Sequence, residues 1–137
     1  MPVAGPDTGP QALLLRLIMT TRSGNILTGL PDARGGEIFE PLVERNGVRV
    51  ERIVSRGQAT PDGEWYDQAG DEWVLVVAGR AELLIEGEAT PRELGPGDYV
   101  HLPARCRHRV AWTDPDGPTV WLAVHWGERP ERTGHDL

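Results

Sequence analysis

The 137-residue chain contains no lysine; all 14 of its basic residues are arginine. That absence removes a Schiff-base amine and the P-loop lysine that cradles phosphate. Serine occurs only at Ser23 and Ser55, neither within G-x-S-x-G, so a serine-hydrolase elbow is missing. The single cysteine, Cys106, excludes an internal disulfide, a C-x-x-C redox pair and a multi-cysteine zinc site. With 21 acidic residues the net charge is −7, the wrong sign for a surface that grips nucleic acid. No apolar run approaches the ~20 residues that cross a bilayer, so no membrane partner is expected. The run near the start, Leu13 to Met19, is interrupted by Arg16 and preceded by no cation, which makes a poor signal peptide. A lone unpaired thiol suits a reducing compartment, and the expected location is cytoplasmic.

The length predicts one domain, large enough to bury a core without a disulfide. Residues 1–18, rich in proline and glycine at their start, read as a disordered or extended arm. Residues 19–126 form the expected domain, and 127–137 a polar tail that includes His135. With 17 glycines and 12 prolines, the chain is punctuated too often for a helical bundle, and its apolar period is two. Ile38 to Arg45 and Val48 to Val54 flank Asn46-Gly47, a strong hairpin signal, and Pro41 predicts a bulge or edge in the first strand. Glu72 to Ala78 and Arg80 to Glu86 flank Gly79 and read as a second hairpin. Tyr99 to Leu102, Arg107 to Trp112 and Thr119 to Trp126 complete the set. Many short strands between Gly/Pro turns predict an all-β sandwich or small barrel.

Alternation then assigns faces. If Glu72 points inward, Val74 and Val76 follow it, and a carboxylate enters an apolar interior where it must be paired, protonated or metal-bound. His108 shares a face with Val110 and Trp112, and His125 with Trp121 and Ala123. Glu72, His108 and His125 can thus converge on one cavity, either as satisfied core groups or as ligands of a divalent ion such as zinc, manganese, iron, nickel or copper. Trp65, Trp112 and Trp121 are expected on the inner surface, as core or as the wall of a small-molecule pocket. Arg52, on the face of Val48 and Val50, is a candidate to hold an anionic substrate there, with surface solvation the plainer role. Arg105 and Arg107 flank Cys106 and would lower its pKa, although a lone thiol without a placed base is usually inert.

Two spaced patterns carry a family resemblance. Glu72, six residues, then Gly79 matches the end of the first cupin motif, and Gly97, Pro103 and His108 match the second. Arg105 stands where that motif has a glycine and Trp112 where it has asparagine. The chain resembles small single-domain bacterial cupins over about residues 20–126, which implies a double-stranded β-helix, a jelly-roll barrel of two antiparallel sheets. The first motif is degenerate, because its H-x-H is missing. A four-residue count back from Glu72 reaches Trp65 and Asp67; a three-residue count reaches Tyr66 and Gln68. By position Glu72 and His108 correspond to metal ligands; Asp67 as an oxygen donor or His125 as a nitrogen donor would complete the shell, neither of them by family position. The parity of Trp65 favours Asp67 over Gln68 as the inward residue.

The resemblance implies a metal-dependent enzyme acting on a small molecule, of isomerase, lyase or dioxygenase type. The alternatives are a non-catalytic small-molecule or sugar-binding cupin, and a metal-free isomerase using a His/carboxylate pair. Trp73, Leu75 and Val77 form a second apolar side on a strand whose first side already faces the interior. Monomers seldom leave such a patch bare. The chain should therefore be a homodimer, and light scattering at micromolar concentration should give twice the monomer mass.

Overall fold

The computed structural model describes Gly9 and residues 21–127. Apart from Gly9 the expected arm lies outside those residues, as do the whole Leu13 to Met19 run, the rest of the tail and His135. Eight strands make two antiparallel sheets, and the described residues include no α-helix. They therefore contain no helix long and apolar enough to cross a membrane. β1 (Ile38–Arg45), β2 (Val48–Ser55), β8 (Thr119–Trp126), β3 (Asp71–Ala78) and β6 (Tyr99–Leu102) form the larger sheet in that order. β5 (Arg92–Leu94), β4 (Ala81–Ile85) and β7 (His108–Thr113) form the smaller one.

Local chemistry accounts for most of the turns. Asn46 and Gly47 both adopt positive φ, 53° and 77°, as the tight two-residue hairpin between β1 and β2 requires. The β1–β2 register slips between Pro41 and Val43, because proline has no N–H to give to the ladder. The hairpin expected around Gly79 does not form: β3 pairs with β6 and β8, whereas β4 pairs with β5 and β7. Gly79 is instead the corner at which the chain leaves one sheet for the other. Arg80 N–H donates to Thr119 Oγ1 at 3.2 Å, and that hydroxyl donates to Arg80 O at 3.0 Å, which ties the corner to the start of β8.

The facing sides of the sheets bury Ile53, Val74, Val76, Leu83, Leu94, Val100, Leu102, Val110, Trp121 and Ala123. Cross-strand register lays the interior of the larger sheet out in rows. Val76 lies beside Trp121, and Trp121 beside Ile53. Two residues along, Val74 lies beside Ala123, and Ala123 beside Glu51. Two further, Glu72 lies beside His125, and His125 beside Arg49. The interior therefore changes from apolar to charged along the strands. On the outer side, Trp73, Leu75, Val77, Leu122 and Val124 are half-buried, and Tyr99, 65% exposed, leans on Trp73 with ring centroids 5.7 Å apart.

A side chain at position 79 has no room. A Cβ there would lie 2.6 Å from Pro118 O and from Thr119 Cα, at a φ of +87°. Gly79→Ala should cost about 2–4 kcal/mol, combining backbone strain with overpacking. Urea unfolding by circular dichroism measures this, and a loss below about 1 kcal/mol would show that the corner is not held as described.

Candidate functional site

Glu72 enters the interior because it starts the inward set of β3, ahead of Val74 and Val76. It is 0% exposed and His108, the first residue of β7, is 1% exposed. Their facing atoms, His108 Nε2 and Glu72 Oε1, are 3.5 Å apart, so this pair spans the gap between the sheets. His125 Nε2 lies 3.5 Å from Glu72 Oε2 and 3.0 Å from Glu51 Oε1. Arg49 Nη2 lies 3.4 Å from that same Glu51 oxygen. Arg49, Glu51, His125, Glu72 and His108 thus form a continuous buried row across β2, β8, β3 and β7. Burial leaves such groups little choice but one another, because desolvated charges must be paired.

Hydrogen bonding assigns the imidazole protons. His108 Nδ1 is 2.8 Å from Cys106 O, a carbonyl that can only accept, so Nδ1 carries the hydrogen. His108 Nε2 is then directed at Glu72 and is left, fully buried, without a hydrogen-bond partner. His125 Nε2 donates to Glu51, whose carboxylate character Arg49 supports. Tyr66 covers this end of the row. Its backbone bridges to His108 in both directions, at 2.8 and 3.2 Å, and its ring lies 5.6 Å from the imidazole.

The structure brings together Glu72, His108 and His125 and adds two residues the sequence reading did not place in the site, Glu51 and Arg49. Their signal was the alternation Arg49, Glu51, Ile53, Ser55 on β2, with charges on the same face as a core isoleucine. Arg52 belongs to the opposite face. Its guanidinium donates to the carbonyls of Ile26, Thr28 and Gly29 and to Glu40, so it fastens residues 26–29 over the outside of β2 and does not enter the barrel.

Asp67 is exposed and pairs with Arg105 at 3.3 Å, outside the row. Trp65 lies outside as well, with the guanidinium carbons of Arg107 and Arg109 5.9 and 6.0 Å from its ring centroid. Tyr66 against His108 supports the three-residue count, with Tyr66 and Gln68 in the positions of the missing histidines. Trp112 turns outward because Ala111 is an extra residue in β7: Val110 pairs with Leu83, but Trp112 pairs with Glu82. It is 39% exposed and lines an open groove of about 630 Å³ with Arg80, Glu82, Glu93 and Asp98. Trp121 alone of the three expected tryptophans is core, its indole N–H donating to Ser55 Oγ at 3.2 Å. Burial pushes the Cys106 thiol up, and this outweighs the opposing pull of Arg92, so the expected lowering by its arginine neighbours is not found.

The donor set does not fit a divalent cation as it stands. Asp67 is elsewhere, His125 presents a hydrogen rather than a lone pair, and only Glu72 and His108 remain. Among the described residues no three His, Cys, Asp or Glu side chains are arranged to hold a metal ion.

Known proteins are similar to this chain in sequence or in fold. The family model described as a cupin domain matches residues 53–125. The crystal structure of a proposed mannose-6-phosphate isomerase from Ralstonia eutropha JMP134 is 54% identical, with a TM-score of 0.76, and the match covers 79% of this chain and 100% of that one. An acireductone dioxygenase of Rhodopseudomonas palustris strain TIE-1 is 26% identical over 110 residues, 79% of this chain; the chain spans 64% of that protein, just under two thirds of its length. The large ribosomal subunit protein uL24 of Anaeromyxobacter sp. strain K is 29% identical over 90 residues, 58% of this chain and 85% of that protein.

Proposed function

The chain belongs to the cupin family, and we propose that it is a small-molecule isomerase that works with His108 and Glu72 as a metal-free acid–base pair. The observation that carries this reading is the buried Nε2 of His108, which has no hydrogen-bond partner and lies 3.5 Å from Glu72 Oε1. At that separation the two groups do not satisfy each other, yet both can reach one small group placed between them. Cys106 O, by holding Nδ1–H, fixes the ring so that Nε2 is the working nitrogen.

One proton serves both halves of the reaction. The partner that lacks it takes a proton from the carbon beside a carbonyl, and the partner that holds it protonates the carbonyl oxygen, giving an enediol. Reversal at the neighbouring carbon completes the isomerisation and restores the pair. The row behind Glu72 keeps the carboxylate oriented, and exclusion of water strengthens every polar contact in the site. Substrate must displace Tyr66 to reach the pair, since its ring lies against His108. The name of the Ralstonia eutropha protein supports an aldose phosphate as the first substrate to test.

Protein stripped with EDTA and incubated with mannose 6-phosphate in deuterium oxide should exchange the C2 hydrogen, read by proton NMR. His108→Ala and Glu72→Gln should each lower the exchange rate by about 100-fold or more while leaving the circular dichroism unchanged. Exchange that is absent from stripped protein and restored by zinc, manganese or nickel would overturn the metal-free reading. Binding of the sugar phosphate without exchange under either condition would make the protein a binder.

A further inference from the structure

The outer face of the smaller sheet carries a row that the acid–base site does not use. Register sets Glu93 of β5 beside Glu82 of β4, and Glu82 beside Trp112 of β7. Carboxylates directly opposite each other on neighbouring strands repel. The arginines nearest in sequence are engaged elsewhere: Arg92 pairs with Glu88 at 2.7 Å, Arg107 with Glu86 at 2.9 Å and Arg109 with Asp62 at 3.4 Å. Among the described residues neither Glu82 nor Glu93 forms an ion pair. Trp112 reaches this face only through the extra residue at Ala111, and bulges of this kind re-aim side chains beside functional sites. Trp112, half-buried Glu82 and exposed Glu93 line one groove of about 630 Å³, a size typical of small-molecule sites.

We propose that this groove binds a small organic cation, a guanidinium or alkylammonium group, held between the Trp112 ring and the carboxylates of Glu82 and Glu93. Indole is the aromatic ring that attracts a cation most strongly, and Trp112 is 39% exposed, so its ring is open to one. A planar guanidinium stacks on such a ring and still directs its N–H groups sideways to carboxylate oxygens. The remaining charges of the lining are Asp98 and Arg80. Asp98 Oδ2 already accepts the Gly95 N–H at 2.8 Å, so it adds field rather than a free acceptor. Arg80 opposes the cation, but three carboxylates stand against one guanidinium and the groove is negative on balance. A bound cation relieves the repulsion between Glu82 and Glu93, so the ligand also stabilises the sheet. The groove lies on the outside of the barrel, and the proposal is independent of the acid–base reading of the interior.

The test is calorimetric titration of the full chain with agmatine, which carries a guanidinium and an ammonium, against glutarate as an anion of similar length. Agmatine should bind saturably at one site per chain and glutarate should not. Trp112→Leu and Glu82→Gln should each weaken agmatine binding by about 10-fold or more, and Glu93→Gln by about 3-fold or more. Arg80→Gln should tighten it, because the opposing charge is gone. All four side chains are half-buried or exposed, so the variants keep the core intact. Without ligand, Glu82→Gln should raise the urea midpoint above that of wild type, since it removes the repulsion across β4 and β5. No saturation by about 10 mM agmatine would overturn the proposal. Binding that Trp112→Leu and Glu82→Gln both leave unchanged overturns it too, as attraction to an acidic chain at large. Weaker binding in Arg80→Gln would mean that an anionic group is held there, and an unchanged midpoint in Glu82→Gln would mean that no repulsion awaits a cation; either result overturns the assignment.

Discussion

At one end of this barrel His108 on β7 faces Glu72 on β3 across the gap between the two sheets. Everything else at that end answers to it. Glu72 sits inside only because His125 and the groups behind it share the cost of its burial, and those groups in turn occupy successive strands of the larger sheet. The register places Arg49 beside His125 and His125 beside Glu72, so a one-residue slip of β2 or β8 would bury charges against valines. The row thus both marks the site and specifies the pairing of its strands.

The opposite end of the interior makes the row feasible. Val76, Trp121 and Ile53 pack there with Phe39 against them, and Ser55 Oγ accepts the Trp121 indole N–H. Core packing there holds the strands rigid without help from the charged end. A site with few conformational options can then be assembled on strands, where side-chain placement is more exact than on loops. The segment that covers it, residues 58–66, is itself stitched to β7 through Thr60 and Tyr66.

Much of this was legible in the sequence because it depends on local chemistry. Asn46-Gly47 announces its hairpin, Pro41 its bulge, and the inward parity of Glu72, His108 and His125 follows from neighbours of period two. What was not legible depends on events outside the strand concerned. Trp112 faces outward because one extra residue, Ala111, reverses the alternation, and no propensity marks an alanine as a bulge. Arg52 and Arg49 exchange roles because residues 26–29 cover the valine face of β2 and make it the outside of the barrel. Gly79 looks like a hairpin turn and serves as a sheet-to-sheet corner, since which sheet a strand joins is decided by distant partners. Trp65 and Asp67 lost their places to Tyr66 and Gln68 by one residue of register, which the bridge of Tyr66 to His108 resolves.

The Ala111 bulge has a bearing on how the family can diverge in length. Val110 and Thr113 are both buried although three positions separate them, which is open to a strand only if one residue between them is out of step. Removing Ala111 would set Val110 and Thr113 two positions apart, still on one face of a now regular strand, so the Thr113 hydroxyl that donates to Gln58 O would keep its side. Among descendants of this sequence a one-residue difference within β7 should therefore fall at the bulge, while the Asp114 to Pro118 turn takes length changes that shift no register. The bulge is the place in this strand where an alignment of such barrels can open a gap without turning a buried residue outward.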